Sequence, residues 1–81
     1  MRVEVKRSAV KDLLKISEPY KSKIKNRIKE LENFPNVSNI KKLVRHDPNF
    51  RLRIGDYRVL FDVRGNTVYV ARIQHRRESY K

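Results

Sequence analysis

The stretch FRLRIGDYRVLF, residues 50–61, predicts a β-hairpin, and this hairpin decides the fold. Apolar and polar residues alternate on both sides of Gly55-Asp56, a dipeptide suited to a two-residue hairpin loop. The pairs that such a loop sets across the two strands are Ile54 with Tyr57, Arg53 with Arg58, and Leu52 with Val59. Two arginines are therefore predicted to face each other, although like charges directly opposite each other destabilise a sheet.

Alternation assigns the side chains of this region to two faces of a sheet. The apolar face, which we expect helices to cover, carries Phe50, Leu52, Ile54, Tyr57, Val59, Phe61 and Val63. The other face carries Arg51, Arg53, Arg58, Leu60 and Asp62, joined from the next strand by Tyr69, Ala71 and Ile73. Strict pairing would place Arg72 under the helices, which suits a charged residue badly, so the register of the second hairpin stays open. Asp62 could screen the arginines, but a bound phosphate would relieve their repulsion better.

The remaining elements complete a βααβββ pattern. Residues 1–6 alternate as a strand, residues 8–16 form a helix with Ser8 as its N-cap, and a second helix begins at Pro19 and ends near residue 33. A short helical turn is predicted around Ile40, Leu43 and Val44. Strands 50–54, 57–63 and 67–73 then form a meander. The prediction is an α+β fold in which two N-terminal helices pack on one face of a small antiparallel sheet, with residues 1–81 as one domain.

The charge of the chain indicates the chemistry of its partner. Lys and Arg number 21 against 9 Asp and Glu, a formal net charge of +12. Solubility alone needs a charge of only about 2 to 8 for a small domain, so a polyanion or a strongly acidic protein is the expected partner. Residues 1–49 hold nine Lys and four Arg, whereas residues 50–81 hold seven Arg and one Lys. Because arginine forms a rigid fork that matches phosphate oxygens, this shift predicts geometric recognition by the C-terminal part.

Several classes of protein do not fit this composition. The chain has no cysteine, so no disulfide or thiolate metal site holds it together, and a reducing compartment such as the cytoplasm is permitted. The N-terminal MRVEVKRS interleaves charges with apolar residues, which predicts neither a signal peptide nor a membrane span. There is no Gly-rich phosphate loop and no metal-ligand spacing, so we expect chemistry without a metal or cofactor.

The segment QHRRESYK, residues 74–81, gathers the side chains that RNA cleavage could use. Attack by a 2′-hydroxyl on the neighbouring phosphate needs a proton acceptor, cations for the charge that develops on phosphorus, and support for the departing 5′-oxygen. The imidazole of His75 can accept or donate a proton, Arg58 and Arg76 can supply charge, and Tyr80 can orient or exchange a proton. The sequence leaves open whether His75 or Tyr80 accepts the proton.

Two motifs, RLRIGDYRVLFDV at residues 51–63 and IQHRRESY at residues 73–80, resemble the RelE toxin family of the RelE/ParE superfamily of toxin–antitoxin modules. The resemblance covers nearly the whole chain. It implies a small toxin that enters the ribosomal A site and cuts messenger RNA without a metal, restrained by a cognate antitoxin. The resemblance implies that the family's basic pair falls on Arg51 and Arg53, its phosphate-binding arginine on Arg58, and its C-terminal arginine and tyrosine on Arg76 and Tyr80, while His75 matches members that have histidine there. We expect catalytic roles for Arg58, Arg76, Tyr80 and His75, and phosphate binding by Arg51, Arg53 and also Arg77. Some members have lysine where this chain has Arg51 and Arg53, and arginine cannot exchange a proton there.

Two other functions stay open at this point: a ParE-like inhibitor that binds DNA gyrase and cuts nothing, and an RNA-binding relative without catalytic activity. The net charge of +12 also predicts that an acidic segment of the antitoxin lies over the arginine face.

Overall fold

The computed structural model describes residues 1–77 and confirms the predicted α+β fold class. The elements follow the chain in the order β1 (Arg2–Val5), α1 (Arg7–Leu14), α2 (Tyr20–Glu30), β2 (Ile40–Lys42), β3 (Phe50–Ile54), β4 (Tyr57–Arg64) and β5 (Thr67–His75). A turn of 3₁₀ helix, Leu31–Asn33, continues α2. Within residues 1–77, no helix is long and apolar enough to cross a membrane.

The five strands form one mixed sheet in the order β1-β5-β4-β3-β2. Four of them make an antiparallel series, β2 to β5, as the hairpin loops require. The first strand departs from the purely antiparallel expectation, because β1 runs parallel to β5 along Arg2–Val5. The strands β1 and β2 are the two edges of the sheet, and the segment that contains both helices connects them.

The hairpin of β3 and β4 has the register that its sequence predicts. Ile54 pairs with Tyr57 and Arg53 with Arg58, around a loop in which Gly55 takes a φ of +58°. Residues that have a side chain rarely adopt that backbone conformation, so glycine is the residue best suited to this position of the loop. The apolar side chains of both strands consequently share the face that packs against the helices.

The hairpin of β4 and β5 contains a bulge that its sequence did not reveal. The register shifts between Leu60 and Phe61, so that Leu60 pairs with Arg72, Phe61 pairs with Val70, and Ala71 is the additional residue. The expectation that Ile73 lies with the arginines is therefore wrong. Ile73 pairs with Val59 and is 3% exposed within the core, while Arg72 takes a place on the arginine face.

The core lies between the helices and the apolar face of the sheet. The rings of Phe34, Phe50 and Phe61 pack against one another with centroid separations of 5.3 to 5.9 Å. The side chains that are wholly buried with them come from α2, its 3₁₀ extension and the central strands: Ile24, Leu31, Leu52, Val59, Val68 and Val70. This packing fixes the strands on which the charged face is built.

Two local predictions are corrected by the structure. Ser8 does not cap α1, which begins at Arg7; its hydroxyl instead donates a 2.6 Å hydrogen bond to the carbonyl of Ala71 at the bulge. No helical turn forms around Ile40, because this residue begins β2 and pairs with Leu52. Val44 follows that strand and is 85% exposed, so it does not plug the core.

Candidate functional site

The uncovered face of the sheet carries two adjacent rows of basic side chains, which we call the arginine rows. In the first row, cross-strand pairing aligns Lys41, Arg51, Leu60 and Arg72 from β2 to β5. The second row aligns Arg53, Arg58 and Gln74. The prediction that Arg51, Arg53 and Arg58 share a face is confirmed by this register. Lys41 joins them only because β2 is a strand, which the sequence analysis missed.

Arg51 has a buried nitrogen that marks a place for an acceptor. Its Nε atom is shielded from solvent and has no hydrogen-bond partner among the residues that the structure describes. A buried N–H that is unpaired destabilises the fold, and such groups in a native protein call for an explanation. The residues directly opposite Arg51 in its row are Lys41 and Leu60, and neither has a carboxylate.

Arg53 and Arg58 lie directly opposite each other across β3 and β4. Arg53 is exposed, and its Nε donates a long 3.3 Å hydrogen bond to the carbonyl of Gly55 in the loop. Neither arginine belongs to the apolar core, so core packing does not explain why two like charges lie opposite each other here. The arrangement is suited to an anion that accepts hydrogen bonds from both guanidinium groups.

Leu60 gives the arginine rows an apolar floor. It is 8% exposed although it is not part of the core under the helices. Its cross-strand neighbours are Arg51 and Arg72, whose aliphatic stems can cover it. The carboxylate of Asp62, two residues further along β4, accepts a 2.8 Å hydrogen bond from the backbone N–H of Asn49 and so holds the loop before β3.

His75 lies on the opposite side of the sheet from the arginine rows. It pairs with Tyr57 on β4, and the two rings meet edge to face at 5.0 Å on the helix side. Its Nδ1 accepts a 3.3 Å hydrogen bond from the backbone N–H of Arg77. A neutral ring that accepts at Nδ1 carries its proton on Nε2, so this arrangement makes Nε2 a donor.

The turn after β5 closes the end of the sheet. The N–H of Arg76 donates a 2.6 Å hydrogen bond to the carbonyl of Asp56 in the first hairpin loop. Together with His75 and Arg77, these two residues line an open cleft of about 530 Å³, which we call the end cleft. Tyr80, the remaining predicted site residue, lies outside the described residues 1–77.

A second cleft, of about 420 Å³, lies on the helix side between α1, β4 and β5, and we call it the helix-side cleft. It is lined by Asp12, Lys15, Ile16, Tyr57, Arg72, Ile73 and His75. His75 and Arg72 are prominent in the sequence, but no pattern there connects them with α1. No local signal could do so, because Asp12 and Arg72 are 60 residues apart in the chain.

Asp12 joins α1 to the end of β5. Its carboxylate accepts hydrogen bonds from Arg72 Nε at 2.8 Å, from a terminal nitrogen of Arg72 at 3.2 Å, and from the Ile73 N–H at 2.9 Å. Partial burial acts to raise the pKa of Asp12, but these hydrogen bonds and the charge of Arg72 outweigh it and lower the pKa below its usual value. The carboxylate is therefore ionised at neutral pH.

Within residues 1–77, no cluster of three or more His, Asp or Glu side chains is arranged to hold a metal ion. The chemistry that the arginine rows and the two clefts offer is that of guanidinium groups, the imidazole of His75 and aromatic surface.

Comparisons with known proteins agree on one family. Residues 3–80 match the family model described as the ParE toxin of the type II toxin–antitoxin system parDE. Toxin RelE3 of Methanocaldococcus jannaschii is 31% identical over 84 residues, which cover 99% of this chain and 96% of that protein.

Two solved structures have the same fold. One is the RelB–RelE antitoxin–toxin complex from Methanococcus jannaschii, with a TM-score of 0.79 and 29% identity over 94% of this chain and 93% of the matched chain. The other is the toxin–antitoxin complex RelBE2 from Mycobacterium tuberculosis, with a TM-score of 0.80 and 26% identity over 93% of this chain and 96% of the matched chain.

Proposed function

The chain belongs to the family of ParE toxins of type II toxin–antitoxin systems, in the RelE/ParE superfamily, and from that premise we propose that it is a metal-independent endoribonuclease. Its substrate is messenger RNA in the ribosomal A site, and its place of action is the cytoplasm. The relatives that carry the name RelE favour this activity over the alternatives.

The observation that carries the proposal is the buried, unpaired Nε of Arg51 beside the opposed pair of Arg53 and Arg58. The unpaired N–H of Arg51 destabilises the isolated protein, and one anion lying over β3 and β4 can accept hydrogen bonds from it and from the opposed guanidinium groups. The phosphodiester of RNA is such an anion, and guanidinium groups bind its oxygens in a fixed geometry. In this proposal Arg51, Arg53 and Arg77 bind the backbone of the message.

The reaction needs no group beyond those that the chain supplies. The 2′-oxygen of the substrate forms a bond to phosphorus, the bond from phosphorus to the 5′-oxygen breaks, and a 2′,3′-cyclic phosphate and a 5′-hydroxyl result. Arg58 and Arg76 stabilise the charge that develops on the phosphoryl oxygens. One proton leaves the 2′-hydroxyl and one reaches the departing 5′-oxygen.

His75 and Tyr80 are the residues available for these two proton transfers. A neutral His75 ring whose Nδ1 accepts the N–H of Arg77 carries its hydrogen on Nε2, so neither nitrogen can remove the proton of the 2′-hydroxyl. Donation of a proton to the 5′-oxygen uses the protonated ring, in which the hydrogen bond from Arg77 is broken. Tyr80 is then the candidate for the group that accepts the proton of the 2′-hydroxyl.

A cognate acidic antitoxin is the second partner in the proposal. The chain carries a net charge of +12, and the two similar structures are both complexes of a toxin with its antitoxin. We place an acidic segment of that partner over the arginine rows, where it would compete with RNA. Loss of affinity for the co-expressed partner in Arg53→Ala would support this placement, and unchanged affinity would contradict it.

The decisive experiment adds the purified protein to a translating extract and maps the 5′ ends of the messages. We expect new ends within translated codons for the wild type and far fewer for Arg58→Ala and Tyr80→Phe. Intact messages with normal translation would refute the nuclease. The purified toxin can also be treated with a metal chelator before it is added to the extract. Cleavage that is unchanged by this treatment would support a metal-independent reaction.

A ParE-like inhibitor of DNA gyrase is the second candidate, because the family model that the chain matches is named for ParE. It predicts loss of supercoiling activity when the toxin is added to gyrase and plasmid. In that case the messages stay intact with the wild type and with Tyr80→Phe alike. The translating-extract assay and the supercoiling assay therefore separate the two candidates.

A further inference from the structure

The helix-side cleft has no role in the chemistry above, yet its lining is unusual for a structural gap. Its volume of about 420 Å³ lies within the range of about 300–1,000 Å³ that is typical of ligand sites. Two aromatic rings, Tyr57 and His75, line it together with charged groups of both signs from Asp12, Lys15 and Arg72. A heteroaromatic base linked to a phosphate needs this combination of surfaces.

The aromatic wall is held in place by ring contacts on both sides. Tyr57 packs against Tyr20 at a centroid distance of 5.6 Å and against His75 at 5.0 Å with the planes 86° apart. Because both rings also sit at paired positions of β4 and β5, their orientation is set before any ligand arrives. A rigid aromatic surface favours stacking with a base, since little side-chain entropy is lost on binding.

The polar wall offers one acceptor and one cation. The carboxylate of Asp12 accepts three hydrogen bonds from Arg72 and Ile73, out of about four that its two oxygens can accept. One position therefore remains for an N–H group on the edge of a base. Lys15, exposed at the end of α1, lies on the same cleft and can contact a phosphate.

His75 links this cleft to the proposed path of the RNA. Its side chain lines both the helix-side cleft and the end cleft, where Asp56, Arg76 and Arg77 follow. Arg58 adjoins Tyr57 in the chain and points to the opposite face of the sheet, at the same end. A strand bound on the arginine rows can thus pass over the end of the sheet and reach Tyr57 without crossing the core.

We propose that the helix-side cleft binds one base of the single-stranded RNA whose backbone lies on the arginine rows. The inference rests on the proposed function, because it takes RNA as the ligand of those rows. The base stacks on the ring of Tyr57 with an edge towards His75, bonds to Asp12, and its phosphate contacts Lys15. The nucleotide in the cleft is a neighbour of the cleaved bond and contributes to the choice of the site that is cut.

The test uses short 2′-O-methyl RNA strands, which cannot be cleaved because they lack the attacking hydroxyl, with 2-aminopurine at one position at a time. Stacking quenches 2-aminopurine, so we expect strong quenching at one position only. Tyr57→Leu should remove that quenching and weaken binding by roughly tenfold, whereas Tyr57→Phe should retain it.

Lys15→Ala is the second test variant, and it keeps the base site testable if Tyr57→Leu fails to fold. Lys15 is exposed and is not part of the core, so this variant should fold. It should weaken binding by about threefold to tenfold. The matched control is Lys29→Ala, which removes the same charge from an exposed helix position outside both clefts and should change affinity by less than about twofold.

The outcomes separate this inference from the function on which it rests. If Arg53→Ala weakens binding but no position is quenched and Lys15→Ala behaves like Lys29→Ala, the base site is refuted and the nuclease proposal stands. Quenching that depends on Tyr57, in a protein that cuts no message in a translating extract, supports the base site and refutes the nuclease. A wild-type protein that binds no strand refutes both, and saturation of the cleft by an acidic peptide alone would assign it to the antitoxin.

Discussion

The two faces of the sheet are built from the same strands but differ in nearly every physical property. On the helix side, Leu52, Val59 and Phe61 are completely buried. On the uncovered side, the alternate residues Arg51, Arg53 and Arg58 form the arginine rows, with a repulsive pair and an unpaired N–H. The difference teaches that one face stabilises the fold, while the other gathers like charges that suit an anionic ligand. Substitutions on the two faces should therefore affect different measurements.

The largest effect is expected from Phe61→Ala on the helix side. Phe61 is fully buried and contacts the rings of both Phe34 and Phe50, so its loss leaves a cavity in the core. We expect the free energy of unfolding to fall by about 3–5 kcal/mol, measured by urea denaturation. The control Val44→Ala, at a residue 85% exposed, should change it by less than about 0.5 kcal/mol. Equal effects of the two substitutions would contradict the assignment of stability to this face.

Arg58→Ala on the uncovered face should have the opposite profile. We expect the rate of message cleavage in a translating extract to fall by about 10²- to 10³-fold, because a donor to the phosphoryl oxygens is lost. Unfolding should change by no more than about 0.5 kcal/mol. The control is Arg64→Ala, which removes the same charge at the other end of β4, where the residue packs on the ring of Tyr69. If Arg64→Ala reduced cleavage as strongly, general charge rather than the opposed pair would explain the activity.

Asp12→Asn tests the contact that ties the helices to the end of β5. Loss of the charged hydrogen bonds to Arg72 should lower the free energy of unfolding by about 1–2 kcal/mol at neutral pH, a value reduced because the Arg72 side chain is 47% exposed.

The pKa of Asp12 is lowered in the folded protein, so its contribution is complete above the unfolded pKa of about 3.9 and is lost as the pH falls through the lower folded value. The difference in unfolding free energy between wild type and Asp12→Asn should therefore be constant above about pH 5 and shrink below about pH 4. A difference that grew on acidification would show that the sign is wrong.

The smallest effect is expected from Arg53→Gln, which removes one member of the opposed pair. Stability should rise by about 0.2–1 kcal/mol while affinity for single-stranded RNA falls. Arg64→Gln is the matched control, since its cross-strand neighbour is Thr67 rather than a like charge. Thermal unfolding and RNA binding measured on both variants would sharpen the comparison of the faces, and a destabilised Arg53→Gln would remove the evidence for repulsion.

The two hairpins show how much of this could be predicted. A two-residue loop sets the pairs of β3 and β4, and alternation then gives the faces, so the opposed Arg53 and Arg58 followed from local residues. The second hairpin has an equally clear loop, but the bulge at Ala71 depends on Ser8, which bonds its carbonyl from 63 residues away. Local patterning holds no information about such a contact.

The candidate site was predicted in part for the same reason. Arg51, Arg53 and Arg58 were assigned to one face from alternation, and the structure places them there. His75 was associated with them because it is near in sequence to Arg76, but the shifted register turns it to the helix side. Lys41, Lys15 and Asp12 join the surfaces around the site only through tertiary packing, and the place of Tyr80 stays a prediction.

The parallel pairing of β1 with β5 has a consequence for how the molecule is made. Arg2 pairs with Thr67, so β1 has no partner in the sheet until the other four strands have been synthesised. Contacts between such distant segments form late and slow folding. For a protein proposed to act on messages in the ribosome, this order of assembly delays completion of the sheet, and of the arginine rows that end on β5, until β5 itself has been synthesised.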